Sequence, residues 1–160
     1  MLHLRSDSVT ATSEIAASLA GVSRRGDLIV LAGEMGAGKT AFARGFGEAM
    51  GVSEPITSPT YTLVHSYPAG RVTLHHADIY RLTSLHEVAD LAFSELLESD
   101  GIVIVEWGDV VAGSLGDHVL VRLDFDESDD DAREIVISAT GRTWAPRWSE
   151  IERRLAGFAC

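Results

Sequence analysis

The chain has 160 residues, 46% of them apolar and 23% charged, with 13 basic and 24 acidic side chains and a formal net charge of −11. This length fits one domain with a workable core, residues 1–160 forming a single unit, and no apolar run approaches the ~20 residues of a membrane helix. The charge disfavours autonomous binding to nucleic acid, and one cysteine, Cys160, excludes an internal disulfide or a multi-cysteine metal site.

The start, MLHLRSDSVT, has no long apolar segment after basic residues, so no secretory leader is visible and the cytoplasm is the expected compartment. Ile15, Ala16, Leu19 and Ala20 recur at helical spacing and predict an amphipathic helix. Asp27-Leu28-Ile29-Val30-Leu31-Ala32 is a short apolar run rich in strand formers, the pattern of a buried parallel strand. It leads into Gly33-Glu34-Met35-Gly36-Ala37-Gly38-Lys39-Thr40, which fits G-x-x-x-x-G-K-[ST], a loop whose backbone N–H groups surround a polyphosphate. Phe42, Phe46, Ala49 and Met50 then recur at helical spacing, and Gly51 stands where the helix would end. In a strand, loop, helix setting the helix N-terminus directs its dipole and open N–H groups at the phosphates.

Lys39 is the only lysine of the chain; every other basic residue is arginine. A compact ammonium sits among loop N–H groups as a point charge between β- and γ-phosphates, where a wide planar guanidinium would crowd them. Gly36 and Gly38 have no Cβ to obstruct close approach, and Thr40 offers a hydroxyl to magnesium. Met35, Gly36, Ala37, Gly38, Lys39, Thr40 and Ala41 are the candidate nucleotide-binding residues of this segment.

Between Gly51 and Pro59 the glycine, serine and proline punctuation predicts an ordered loop. YTLVHSY and RVTLHHADIY are strand-like on either side of Pro68-Ala69-Gly70, a hairpin that makes the sheet mixed. Ser84-Leu85-His86-Glu87 reads as a capping box opening a short helix, with another at Phe93 to Leu97. GIVIVEW, residues 101–107, is a second buried strand, and 118–125 with 133–139 suggest a second hairpin around the acidic run Asp124 to Asp131, read as a solvated loop. Trp144 to Phe158 predicts a terminal helix, interrupted early by Pro146.

Hydrolysis would need metal ligands and a group that orients water. Glu106 ends the apolar strand IVIVE, and strand ends of an open α/β sheet face the ligand crevice, which places Glu106 near Lys39 and Thr40. In HHADIYR, strand alternation puts His76, Asp78 and Tyr80 on one face and His75, Ala77 and Ile79 on the other. The histidines with Asp78 also fit zinc, but a hard carboxylate oxygen beside a phosphate loop suits Mg2+ better.

GEMGAGKT, TSPTYTLV, HHADIYRL and IVEWGD, in that order, resemble the TsaE (YjeE) family, the small ATPase of bacterial tRNA threonylcarbamoyladenosine synthesis, over residues 10–140, with 141–160 a variable tail. Glu34-Met35 stands where the family commonly has Asp-Leu. The resemblance implies a P-loop NTPase-like three-layer α/β sandwich, with a mixed, mainly parallel central sheet, helices on both faces and hairpins at the edges. It implies that Thr40 and Asp78 hold magnesium, that Glu106 coordinates it or orients the attacking water, and that Arg133 contacts the nucleotide. It further implies a switch loop over 57–61 with Thr60 sensing the γ-phosphate, and Trp107 and Tyr80 beside the nucleotide site. ATP and Mg2+ are the implied cofactors, and a TsaD–TsaB pair the implied partner, with tRNA met only through that complex and turnover dependent on it. Two other readings remain: a small-molecule kinase, and a nucleotide-dependent assembly module whose hydrolysis is incidental.

Overall fold

The computed structural model describes residues 1–57, 64–70, 72–79, 101–106 and 115–160. In chain order these form β1 (Leu2–Ser6), α1 (Val9–Ala20), β2 (Leu28–Ala32), α2 (Lys39–Met50), β3 (Val64–Ala69), β4 (Val72–Asp78), β5 (Gly101–Glu106), β6 (His118–Asp126), β7 (Asp129–Thr140) and α3 (Trp148–Leu155), the last flanked by 3-10 turns. One seven-stranded sheet has the order β1-β7-β6-β2-β5-β4-β3. It is a mixed α/β architecture.

The apolar run of β2 is buried at all five positions because it lies mid-sheet, parallel to β5 on one side and to β6 on the other. β4 extends the parallel part beyond β5. The remaining pairings, β1–β7, β3–β4 and β6–β7, are antiparallel. Among the described residues, three parallel and three antiparallel pairings correct the expectation of a mainly parallel sheet: short turns join only antiparallel neighbours, and this part of the chain supplies two hairpins plus an antiparallel β1. The β6–β7 hairpin also lies inside the sheet, since β1 takes the outer position.

Strand alternation divides the core in two. Leu4, Ile29, Leu31, Leu74, Ile104, Val121 and Ile135 face α1, α2 and α3 in the larger cluster, while Leu28, Val30, Ala77, Val103 and Val105 form a smaller one on the reverse face. The described helices all pack on the first face; the short helices expected at 84–87 and 93–97 lie outside the described residues. Ser8 caps α1, its Oγ accepting from the Ala11 N–H at 3.1 Å. α2 ends at left-handed Gly51, where Gly51 N–H donates to the Glu48 carbonyl and Val52 N–H to the Gly47 carbonyl, closing the helix end. The two helices approach so closely that a Cβ at Gly45 would lie 2.7 Å from Ser13 Cα.

The acidic run is not the loop expected of it. Asp124–Asp126 end β6 and Asp129–Asp131 begin β7, leaving Glu127 and Ser128 as the turn. Asp126 is buried because Arg5 pairs with it and Ser128 donates to it from both backbone and hydroxyl. The tail is equally integrated: Trp144, Ile151 and Leu155 are buried in the larger cluster. No described helix is long and apolar enough to cross a membrane.

Candidate functional site

The C-terminal ends of β2, β5 and β4 lie side by side, so whatever follows or terminates these strands is gathered at one edge of the sheet. From β2 comes the glycine loop. A Cβ at Gly33 would lie 2.2 Å from the Leu123 carbonyl oxygen, and its φ of +144° is one that side chains rarely adopt, so only glycine lets the loop turn this close to β6. Met35 is exposed, Ala37 is buried, and Gly38 precedes α2 without any side-chain cap. The N-cap of α2 is thus a residue with no side chain of its own, and a helix N-terminus of this kind is one that receives anions. Ala41 follows in the first turn, partly buried.

Lys39 opens α2 and is almost wholly buried, folding back so that Nζ donates to the carbonyls of Gly33 at 2.7 Å and Glu34 at 2.9 Å. The ammonium thus sits inside the loop. Thr40 Oγ1 donates to Glu106 Oε1 at 3.1 Å, joining α2 to the end of β5. Asp78 is the ladder partner of Glu106 across β4 and β5 and lies on the same sheet face, as do Leu74 and His76 before it. Lys39 and Thr40 at the start of α2 and Glu106 and Asp78 at the ends of β5 and β4 thereby lie at one end of the sheet.

Glu106 has a second neighbour that the sequence alone does not reveal. His76, fully buried, places Nε2 3.1 Å from Glu106 Oε2, within ion-pair distance but outside hydrogen-bond alignment. The carboxylate is held between a hydroxyl and an imidazole and is only 2% exposed. His75 points to the reverse face, where its Nδ1 meets Ser66 Oγ at 2.7 Å and burial holds the imidazole below its ordinary pKa. Adjacent residues on a strand face opposite ways, so the two histidines do not converge on one ion. Among the described residues, no group of three or more His, Cys, Asp or Glu is arranged to hold a metal ion.

Arg133 stands on the other side of the loop. Its Nε donates to the Ala37 carbonyl at 3.1 Å, and its guanidinium carbon lies 4.5 Å from the Phe125 ring centroid. The sequence points to Arg133, while Phe125 carries only a faint signal there: an aromatic set two residues after buried Leu123 inside an acidic run. Thr60, Tyr80 and Trp107 lie outside the described residues.

Fold and site define a mixed α/β protein whose central strand carries a glycine loop between two carboxylate-bearing strands and a hairpin. A family model described as threonylcarbamoyl adenosine biosynthesis protein TsaE matches residues 6–135. The tRNA threonylcarbamoyladenosine biosynthesis protein TsaE of Bacillus subtilis is 34% identical over 142 residues, covering 89% of this chain and 88% of that protein. Its counterpart from Streptomyces coelicolor is 38% identical over 138 residues, covering 82% and 93%. The crystal structure of Bacillus subtilis YdiB superposes with a TM-score of 0.74 at 30% identity, covering 95% of this chain and 94% of that chain. The chain belongs to the TsaE family.

Proposed function

We propose that this protein is a cytoplasmic P-loop ATPase of tRNA threonylcarbamoyladenosine biosynthesis, binding Mg-ATP and driving or resetting a TsaD–TsaB complex in modification of the adenosine at tRNA position 37. The observation that carries the reading is the closed chain of contacts from loop to carboxylate: the Lys39 ammonium inside the glycine loop, and the next residue, Thr40, bonded to Glu106. A loop of this kind has bare backbone and an embedded cation where a polyphosphate carries negative charge.

The donor set fits magnesium. Thr40, Asp78 and Glu106 supply one hydroxyl and two carboxylates, the hard oxygen ligands that this ion takes. Bound there, Mg2+ would neutralise charge on the phosphate oxygens. Lys39 binds the phosphates as a point charge, and the first turn of α2 adds its N–H groups. Glu106 is fixed by Thr40 and flanked by His76, so it presents a carboxylate of set orientation able to accept a hydrogen bond from an attacking water.

The chain's net charge of −11 supports a division of labour in which tRNA is met through the partner complex. Hydrolysis of Mg-ATP measured alone and with TsaD–TsaB tests the proposal, with Glu106→Gln as the variant. Expected is turnover stimulated by the complex and lost in the variant, while the variant still binds ATP. Wild-type turnover by Glu106→Gln would remove Glu106 from the reaction.

A further inference from the structure

His76 is fully buried, on the face of β4 that packs beneath the helices. Its ladder partner is Ile104, Leu74 lies two residues before it, and both are buried in the larger cluster. Two residues further along, the same face carries Asp78 on β4 and Glu106 on β5. The histidine therefore stands at the border between apolar core and carboxylates. Packing alone would be served by an apolar side chain here.

Among the described residues neither ring nitrogen of His76 meets the geometry of a hydrogen bond, yet Nε2 lies 3.1 Å from Glu106 Oε2. A carboxylate offers only acceptors, so an approach this close is attractive only when Nε2 carries a proton. Contacts at reaction centres are often misaligned before the ligand arrives and straighten once it is bound. At 3.1 Å the separation already suits an N–H···O bond, and only the angle must change. Thr40 Oγ1 reaches the other oxygen, Oε1, also at 3.1 Å. One such contact permits rotation about the Cγ–Cδ bond of Glu106; two, one on each oxygen, fix the plane of the carboxylate. On the proposed reading Thr40 also serves the magnesium ion, so the orientation of Glu106 depends on the second contact.

We propose that His76 is a positioning residue whose Nε2–H fixes the plane of the Glu106 carboxylate relative to the attacking water, an inference that rests on the ATP-hydrolysis reading above. In this role His76 touches neither nucleotide nor water; it acts through Glu106.

Two measurements test this. Hydrolysis of Mg-ATP with TsaD–TsaB is followed in wild type, His76→Leu and His76→Gln, the glutamine amide placing an N–H donor near where Nε2 stands. His76→Leu is expected to lower kcat by about 10–100-fold, the range for a lost outer contact to a ligating group, with KM for ATP unchanged, and His76→Gln to recover most of the rate. Unchanged kcat in His76→Leu, or a loss carried by KM, would overturn the proposal. Equal losses in both variants would also overturn it, because packing rather than the donor would then be at stake. The second measurement is the nitrogen-15 spectrum of the histidine rings in the unliganded protein, expected to show a protonated Nε2 on His76 whose signal is displaced in Glu106→Gln. A bare Nε2, or a signal that Glu106→Gln leaves in place, would overturn the proposal, and these spectra require no His76 variant to fold. Absence of hydrolysis by wild type would sink the ATPase reading instead, and the spectra alone would then decide whether His76 donates to Glu106.

Discussion

The two ends of the parallel strands are built on opposite principles. At the end where β2 begins, two carboxylates are taken up within the fold. Asp27 accepts both Nη1 and Nη2 of Arg147, at 2.6 and 2.9 Å, and also the Arg24 N–H at 2.7 Å. The Arg147 guanidinium lies over the Trp144 ring at 4.0 Å, and Asp117 accepts the N–H groups of Arg142 and Thr143 at 2.9 and 3.1 Å. At the end where β2 finishes, glycines strip the backbone of cover, Gly38 provides no cap for α2, and a buried ammonium is held by loop carbonyls. One end closes the fold; on the proposed reading, the other takes up the phosphates of a nucleotide. On that reading stability and chemistry are separated along the strand axis, so they can be disturbed independently.

The largest expected effect comes from the open end. Glu106→Gln keeps the shape and the Thr40 contact but removes the charge, and should lower the rate of ATP hydrolysis by about a thousandfold with little change in the urea midpoint. Arg147→Ala is its mirror image. Stranding Asp27, which is 4% exposed, should cost about 3 kcal/mol in urea unfolding, whereas ADP affinity should stay at the wild-type value. A large loss of affinity in Arg147→Ala would show that the two ends are coupled.

The smallest effect concerns acid stability at the closed end. Hydrogen bonds from the Thr143 and Arg142 N–H groups hold the Asp117 carboxyl below its ordinary value of 3.8. A depressed folded-state pKa contributes stability above the unfolded value and loses it as pH falls through the folded one. The stability gap between wild type and Asp117→Asn should therefore be widest above pH 3.8 and close below it. A gap that is constant with pH would assign the contribution to shape rather than charge.

Local pattern made part of this legible. The apolar run of β2, the glycine loop and the helical spacing of Phe42 and Phe46 are contiguous, and each follows from rules acting over a few residues. Glu106 and Asp78 were placed by strand alternation and by the rule that ligands gather at strand ends. What escaped was non-local. Leu2 and Leu4 alternate, yet β1 gains meaning only by pairing with β7 more than a hundred residues later. Asp126 reads as loop until Arg5 is brought to it across the sheet. His76 could be assigned a face but not its contact with Glu106, which depends on the register of β4 against β5. Phe125 needed the hairpin register to acquire Arg133.

The central claim is that the lone lysine supplies an ammonium to a polyphosphate cradle that a guanidinium cannot fill. Calorimetric titration of Mg-ATP into wild type and Lys39→Arg addresses it directly. The expected result is binding by wild type and affinity lower by about 10–100-fold in the variant, the range for a lost charged hydrogen bond. Equal affinity in the two proteins would contradict it.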